Sequence, residues 1–339
     1  MTMTSRGGLA ALLCALLSSV STAQAQAPMT LKLAHPLPAS HYAYVQGIKV
    51  FTDAVEAKTN GKVKFEVYPA NQLGKDYLTL VKSGVADVAM IVTSYAPDKF
   101  PLTAVTELPG LYTSSCDAVG KFWNIAKDGG KLKEGEYDPL GLKVVLVNTL
   151  PAYNVMLLNK KVATLADLSG LKVYAPGAGL QKALPLVGAV PVRLTASEIY
   201  DAATRGTIDG IAISYSSLAA YKVDTITKYS VEGVGFGSSS WIMALNDRSW
   251  SALSADVRQA ISEAGAIAQK ALCEYMDADN STTRDRMVKE QGHTVVKLTD
   301  EQVKLWNEKL QRTSAEWASQ QDAAGKPGTA LVKAMEAAK

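Results

Sequence analysis

The chain of 339 residues carries 35 Lys and Arg against 32 Asp and Glu, and hydrophobic residues make up 47% of it. These values are typical of globular domains and exclude a disordered chain or a long coiled coil. The length allows two domains with separate cores, and the formal net charge of +3 gives no electrostatic case for nucleic-acid binding.

The N-terminus is typical of a secretory signal peptide. Arg6 precedes an apolar run over residues 9–20, and the small-residue site Ala23-Gln24-Ala25 follows. This run is too short to span a bilayer comfortably, which needs about 20 apolar residues, so an uncleaved anchor is the less favoured alternative. Residues 1–25 are therefore predicted to be removed by cleavage after Ala25.

Two cysteines remain in the predicted mature chain, Cys116 and Cys273. In an oxidising compartment they can form one disulfide, and two separate buried thiols are the alternative that the sequence leaves open. The sequence has no Cys-x-x-Cys motif and no Cys/His cluster, so we expect neither a structural metal nor a cofactor.

The mature chain begins with alternating strand and helix patterns. Residues 29–34 and 63–67 are predicted strands, and a continuous apolar run over 85–92 predicts a buried strand. Apolar side chains at helical spacing over 45–55 predict a helix that Ser40 can cap. This order implies a parallel sheet covered by helices.

The same alternation of predicted strands and helices returns after about residue 150. The predicted strands cover residues 142–148, 153–158, 171–174, 190–193 and 208–214, and the predicted helices cover 180–187 and 197–204. A strand over 241–245 then precedes a long helical pattern from Ala255 to Gln291. At 1.5 Å per residue, this helix exceeds the width of one small domain and is expected to brace two.

The predicted architecture is therefore a two-domain α/β fold with a long helix that spans both domains. Domain I comprises residues 28–150 plus about 237–250, and domain II comprises 151–236. The bridging helix covers 254–292, and further helices cover 293–339.

The chemistry-bearing motifs favour binding over catalysis. No catalytic or nucleotide-binding motif opens a helix after a strand, and the chain has only three histidines. Gly233-x-Gly235-x-Gly237 has the wrong spacing for a nucleotide loop and predicts a hinge or the entry to a sheet. A carboxylate could still act as a general base, so an exported α/β enzyme remains an alternative. The simplest interpretation is a binding protein that closes on a solute.

Several segments occur in an order that resembles one family. They are Phe51-Thr52-Asp53-Ala54-Val55 with residues 59–63 and 68–74, then 168–173, then 197–200 with Gly206 and 208–210, and finally Lys222 with Lys228-Tyr229. The chain resembles the solute-binding subunits of tripartite ATP-independent periplasmic (TRAP) transporters, of the dicarboxylate-binding type.

The resemblance implies a Venus-flytrap fold in a periplasmic protein that is not an enzyme. It also implies that a small organic solute is passed to integral-membrane TRAP subunits, and we expect a monomer. A binding protein of another importer class, the ABC type, is the second alternative.

The resemblance also implies a ligand site, and here the sequence departs from the family. Two arginines that hold a substrate carboxylate are expected at the positions of Tyr174 and Asn154, and a polar amide is expected where Ile213 stands. The departures favour a less charged mono-acid, or a solute with an aromatic or apolar body, over a standard dicarboxylate.

Further candidates for ligand contacts lie at predicted strand ends, where open α/β sheets present binding groups. They are His35, Thr93, Ser94, Tyr95, Tyr215 and Trp241. The alternatives are a satisfied loop histidine for His35 and core packing for the aromatic residues. Arg193 and Arg205 could supply a guanidinium, but their neighbours in sequence favour the surface.

Overall fold

The computed structural model describes residue 2 and residues 28–194 and 198–337. The predicted signal peptide lies outside the described residues, and so does Ser197, where a helix was predicted to begin. The strands are β1 (Met29–Ala34), β2 (Val63–Tyr68), β3 (Val88–Val92), β4 (Leu142–Thr149), β5 (Asn154–Leu157), β6 (Lys172–Tyr174), β7 (Val190–Val192), β8 (Gly210–Ile213), β9 (Tyr229–Glu232), β10 (Ser240–Asn246) and β11 (Thr294–Lys297).

The α-helices connect these strands and cover the sheets. They are α1 (Lys49–Lys58), α2 (Tyr77–Ser83), α3 (Ser115–Ala126), α4 (Gly177–Ala183), α5 (Ile199–Thr204), α6 (Tyr215–Leu218), α7 (Asp247–Ala252), α8 (Ala255–Glu290), α9 (Asp300–Ala323) and α10 (Gly328–Ala337). The helix predicted over 180–187 is instead α4 followed by a 3₁₀ turn, Leu184–Val187. Pro185 in that turn lacks an N–H group and cannot continue an α-helix.

Two sheets form the cores of two domains. The first has the order β2-β1-β3-β10-β4, and the second has the order β11-β9-β5-β8-β6-β7. Each sheet has apolar clusters on its two faces. The two-domain α/β fold predicted from the sequence is therefore confirmed.

β1, β2 and β3 pair in parallel, as the strand–helix order predicted, but both sheets are mixed. β10 runs antiparallel to β3 and β4, and β5 runs antiparallel to β8 and β9. The chain leaves the first sheet at the end of β4 and re-enters it at the start of β10, and Thr149 pairs with Ser240. A strand that returns from the same end of the sheet must run in the opposite direction.

Helix α8 spans both domains, as predicted from its length. Its 36 residues extend about 54 Å. Ile261 and Leu272 pack into the core of the first sheet, whereas Met287 packs into the core of the second. α9 crosses in the same way, because Trp306 contacts the second core and Trp317 contacts the first.

Two contacts fix α8 to the first domain. Cys116, in the first turn of α3, forms a disulfide with Cys273 of α8. Asp277, one helical turn further on, accepts hydrogen bonds from the backbone N–H groups of Ser115 and Cys116, at 2.7 and 3.0 Å. The carboxylate thus satisfies N–H groups that the start of α3 leaves free.

Candidate functional site

A cavity of about 80 Å³ lies between the two sheets, near the two segments that cross from one domain to the other. Six aromatic side chains line it, and they come from both domains: Tyr42, Tyr95, Tyr153, Tyr174, Tyr221 and Trp241. His41, Ile213 and Ser239 also line it. The lining combines apolar ring surface with phenol hydroxyl groups, which can both donate and accept hydrogen bonds.

Four of the residues predicted to contact ligand line this cavity. Tyr174 ends β6 and Ile213 ends β8, and both residues are buried in the second sheet. Trp241 belongs to β10 of the first sheet and is buried, whereas Tyr95 follows β3 and is 71% exposed. Strand ends from two sheets therefore converge on one space, with Tyr95 at its mouth.

Thr93 and Ser94 support the wall without lining the cavity. The Thr93 Oγ1 donates to the carbonyl oxygen of Ser240 at 3.1 Å. The Ser94 Oγ lies 3.0 Å from the Oγ of Ser239, which does line the cavity. Their hydroxyl groups hold the strand end of β10, so the structure does not place them as ligand contacts.

His35 lies outside the cavity, contrary to the prediction. Its ring is fully buried and stacks on Tyr44, with 4.9 Å between ring centroids. Burial lowers the pKa of His35 to about 4, and neither ring nitrogen has a hydrogen-bond partner among the described residues. The turn after β1 places the His35 ring against Tyr44 instead of in the cavity.

Asn154 and Tyr215 also lie elsewhere, in the wall of a second, open cavity of about 530 Å³ beside α8. Asn154 follows Tyr153, and neighbouring residues of an extended chain point to opposite faces. Tyr215 begins α6, and its hydroxyl donates to the Glu232 Oε1 at 2.7 Å. Arg284 pairs with the same carboxylate at 2.7 Å.

The lining of the interdomain cavity is uncharged at neutral pH. No lysine or arginine is among the described residues that line it. Burial lowers the pKa of His41 to about 4 and raises that of Tyr42 to about 12. Burial also holds the pKa of Tyr174 above its ordinary value. Arg205, which the sequence placed at the surface, is exposed and lies 3.9 Å from Asp201.

Four ring-bearing residues of the lining were not predicted from the sequence. They are His41, Tyr42, Tyr153 and Tyr221. Tyr153 adjoins the position where the family resemblance placed an arginine, and Tyr221 adjoins Lys222 in a segment that carried the resemblance. Both tyrosines therefore stand next to positions that the family resemblance had already marked, and this adjacency is the signal that could have predicted them.

Glu107 lies where the two domains touch beside the cavity. It ends a 3₁₀ turn, Thr103–Glu107, and its Oε1 accepts from the backbone N–H of Ser240 at 3.0 Å. A Cβ on Gly177, at the start of α4, would lie 3.0 Å from the Oε2 of Glu107. Burial raises the pKa of this carboxyl to about 8, so the contact between domains is made by a neutral acid at pH 7.

The family model of bacterial extracellular solute-binding proteins, family 7 (DctP), matches residues 33–321. The chain belongs to this family. The TRAP resemblance drawn from the sequence is thereby confirmed, and the protein is a solute receptor of the TRAP type.

Individual members of the DctP family share about a quarter of their residues with this chain. The C4-dicarboxylate-binding periplasmic protein DctP of Rhodobacter capsulatus is 27% identical over 296 residues, which is 84% of each chain. A TRAP periplasmic solute-binding protein of Desulfovibrio salexigens superimposes with a TM-score of 0.81 at 27% identity, over 91% of this chain and 95% of its own.

A TRAP solute-binding protein of Rhodoferax ferrireducens, solved with copurified benzoate, has a TM-score of 0.80 at 24% identity. The alignment covers 91% of this chain and 97% of that chain. At this level of identity, the likeness shows the shared fold.

None of the helices formed by residues 28–194 and 198–337 is long and apolar enough to cross a membrane. Within the same residues, no group of three or more His, Cys, Asp or Glu side chains is arranged to hold a metal ion.

Proposed function

We propose that this DctP-family receptor binds a small, ring-bearing solute with at most one carboxylate and delivers it to TRAP membrane subunits. The observation that carries the proposal is the uncharged lining, in which five tyrosines and one tryptophan surround the cavity. A flat ring can pack between aromatic walls, and phenol hydroxyl groups can hold its polar substituents.

The charge balance argues against a dicarboxylate. Each carboxylate that is buried without a cation costs several kcal/mol after relaxation of the protein. The Tyr174 and Asn154 positions lack the arginines that the family resemblance implied, and Arg284 is already paired with Glu232. One carboxylate can be held by hydroxyl donors, whereas a second would remain uncompensated.

Relatives of the chain differ in the solutes that they bind. The Rhodobacter capsulatus protein is named for C4-dicarboxylates, whereas the Rhodoferax ferrireducens protein was solved with benzoate. The same fold therefore accommodates a single-ring monocarboxylate in another organism. The proposal for this chain rests on its own lining, and the benzoate complex makes that acid the natural first probe.

A thermal-shift screen tests the ligand class. Benzoate, 3-hydroxybenzoate and mandelate represent ring mono-acids, benzamide represents neutral rings, and succinate and malate represent dicarboxylates. A ligand at a hundredfold excess over its Kd stabilises the protein by about 2.7 kcal/mol, so the unfolding midpoint should rise. We expect a rise with a ring compound, and tight binding of succinate or malate would overturn the proposal.

A receptor releases its bound compound unchanged, whereas an enzyme converts it to a product. We propose that the chain is not an enzyme, and its relatives are solute-binding proteins. One-dimensional NMR of the stabilising compound, incubated overnight with the protein, should show it unchanged. Formation of a product at a rate proportional to protein concentration would support the exported α/β enzyme instead.

We also propose that the mature protein is a periplasmic monomer that begins at Gln26. The arrangement of residues 1–25 supports export and cleavage, and the family is extracellular. Mass spectrometry of protein recovered from the periplasm gives the first residue, and light scattering gives the mass in solution.

Reconstituted uptake that needs two membrane subunits and no ATPase distinguishes TRAP delivery from an ABC importer.

A further inference from the structure

His41 stands at the start of the helical segment that leads into α1. Helical structure begins at Tyr42, and the Nδ1 of His41 accepts a hydrogen bond from the backbone N–H of Ala43 at 3.1 Å. Ser40, predicted from the sequence to cap this helix, makes no capping hydrogen bond among the described residues. Because Nδ1 is an acceptor, the proton of the neutral imidazole must be on Nε2.

The other edge of the same ring carries the Nε2–H group. His41 lines the interdomain cavity, and its Nε2 takes part in none of the hydrogen bonds among the described residues. The ring contacts that of Tyr42, with 4.5 Å between centroids, which restricts its rotation. The backbone cap and the neighbouring ring therefore restrain a cavity-lining imidazole whose Nε2–H donor remains unused among the described residues.

We propose that His41 contacts the solute and donates its Nε2–H to the carboxylate of a ring-bearing mono-acid. This inference rests on the proposed function and names the group that recognises the acid. The donor carries no charge, so it can satisfy one carboxylate oxygen without the guanidinium that the family resemblance implied at Tyr174. Phenol hydroxyl groups of the lining supply donors for the other oxygen.

The position of His41 also relates recognition to domain closure. Its neighbour Tyr42 reaches the second domain, where its hydroxyl lies 3.3 Å from the Oγ of Ser217 in α6. The turn that carries the donor thus touches both domains. Closure of the domains would bring the Nε2–H group onto a solute that is held against Tyr174.

The variant H41S separates the two roles of the side chain. Serine is a good capping residue, so the helix start and the unfolding midpoint of the ligand-free protein should be retained. The donor to the cavity is lost, and the Kd for benzoate, measured by calorimetry, should rise about tenfold or more. S40A is the matched control and should change neither quantity.

The ligand-free protein gives a second, independent measurement. Nitrogen-15 NMR of the imidazole rings distinguishes the two neutral tautomers, and the chain has only three histidines to assign. We expect His41 in the Nε2–H form at pH 7. A protonated ring, or the Nδ1–H form, would overturn the inference even if acids bind.

The outcomes separate this inference from the proposed function. If benzoate binds the wild type and H41S binds it equally well, His41 is not the contact, although the receptor for ring acids stands. If benzamide binds and none of the three ring acids does, the carboxylate contact is wrong and the aromatic cavity stands. If no ring compound binds, both proposals fail.

Discussion

Tyr174 is the residue at which the site departs most clearly from the family resemblance. Its ring is buried at the end of β6, within an uncharged lining. Burial of the hydroxyl holds its pKa above the ordinary value, so the group stays neutral and can donate a hydrogen bond. We expect the choice between phenol and guanidinium at this position to set how many carboxylates the cavity can hold.

We predict that Y174R shifts preference from mono-acids to diacids. A guanidinium compensates a second carboxylate and removes the ring surface against which an aromatic solute packs. The Kd for benzoate should rise and that for succinate should fall, as measured by calorimetry. Y174F, which keeps the ring, serves as the control and should retain the preference for benzoate. An unchanged ligand preference in Y174R would mean that the solute binds elsewhere.

Ionisation of Glu107 lowers the free energy of unfolding as the pH rises. Protonation of the buried His35 and His41 lowers it as the pH falls. The pKa of Glu107 is about 8 in the folded state, against the ordinary value of 4.5 for a solvent-exposed glutamate in an unfolded chain. The folded protein thus keeps a proton that the unfolded chain releases. The stabilisation is complete below pH 4.5 and is lost as the pH rises through 8.

We predict that E107Q removes this dependence. The amide oxygen of glutamine can still accept from the N–H of Ser240, and it has no charge to bury above pH 8. Denaturant unfolding should show similar stability for both proteins at pH 5 and greater stability for E107Q at pH 9. His35 and His41 titrate alike in both proteins, so their contributions cancel. A difference that is constant with pH would show that ionisation of Glu107 plays no part.

At the scale of single elements, the approach of α8 to β4 depends on one glycine. A Cβ on Gly265 would overlap the carbonyl oxygen of Val145, so the helix and the strand touch backbone to backbone. One turn further along α8, the Oε1 of Gln269 accepts from the N–H of Val147 at 2.7 Å. The helix thereby satisfies an N–H group that this edge strand would otherwise leave free.

We predict that G265A destabilises the protein by about 3 kcal/mol, because neither backbone can yield to the added methyl group. G120A is the matched substitution within α3, where a Cβ would meet nothing within 4 Å. It should stabilise the protein by about 0.5–1 kcal/mol, since alanine loses less backbone entropy in a helix. Equal effects of both substitutions in urea unfolding would contradict the packing argument.

At the scale of the whole molecule, two chain crossings and two helices connect the domains. The domains touch across the cavity through small contacts, such as Gly177 against Glu107 and Tyr42 against Ser217. Small polar contacts of this kind separate easily, whereas the connections through α8 and α9 limit the direction of movement. Domain motion about the crossings is therefore the expected response to a solute.

We predict that the ligand-free protein opens in solution and that benzoate compacts it. Small-angle X-ray scattering should give a smaller radius of gyration at saturating benzoate, because a bound ring adds contacts to both domains. Succinate at the same concentration is the control and should leave the curve unchanged. An identical radius of gyration with and without saturating benzoate would count against hinge closure.

Local patterns in the sequence determined the class of fold. Alternating apolar residues, turn residues and the long helical pattern are properties of neighbouring residues, and they predicted two α/β domains braced by α8. The strands β9 and β11, of four residues each, were not predicted. The family resemblance predicted a solute site between the domains, and the departures from it at Tyr174, Asn154 and Ile213 predicted a solute with little charge.

Only the tertiary structure decided which side chains meet. The antiparallel direction of β10 follows from the end at which the chain re-enters the first sheet. Asn154 lies outside the interdomain cavity because it follows Tyr153 and points to the opposite face of the strand. Tyr215 lies outside it because the chain turns into α6 at this residue. His41 and Tyr221 are 180 residues apart and line one cavity. Contacts between such distant segments depend on how whole domains pack, and no local pattern records them.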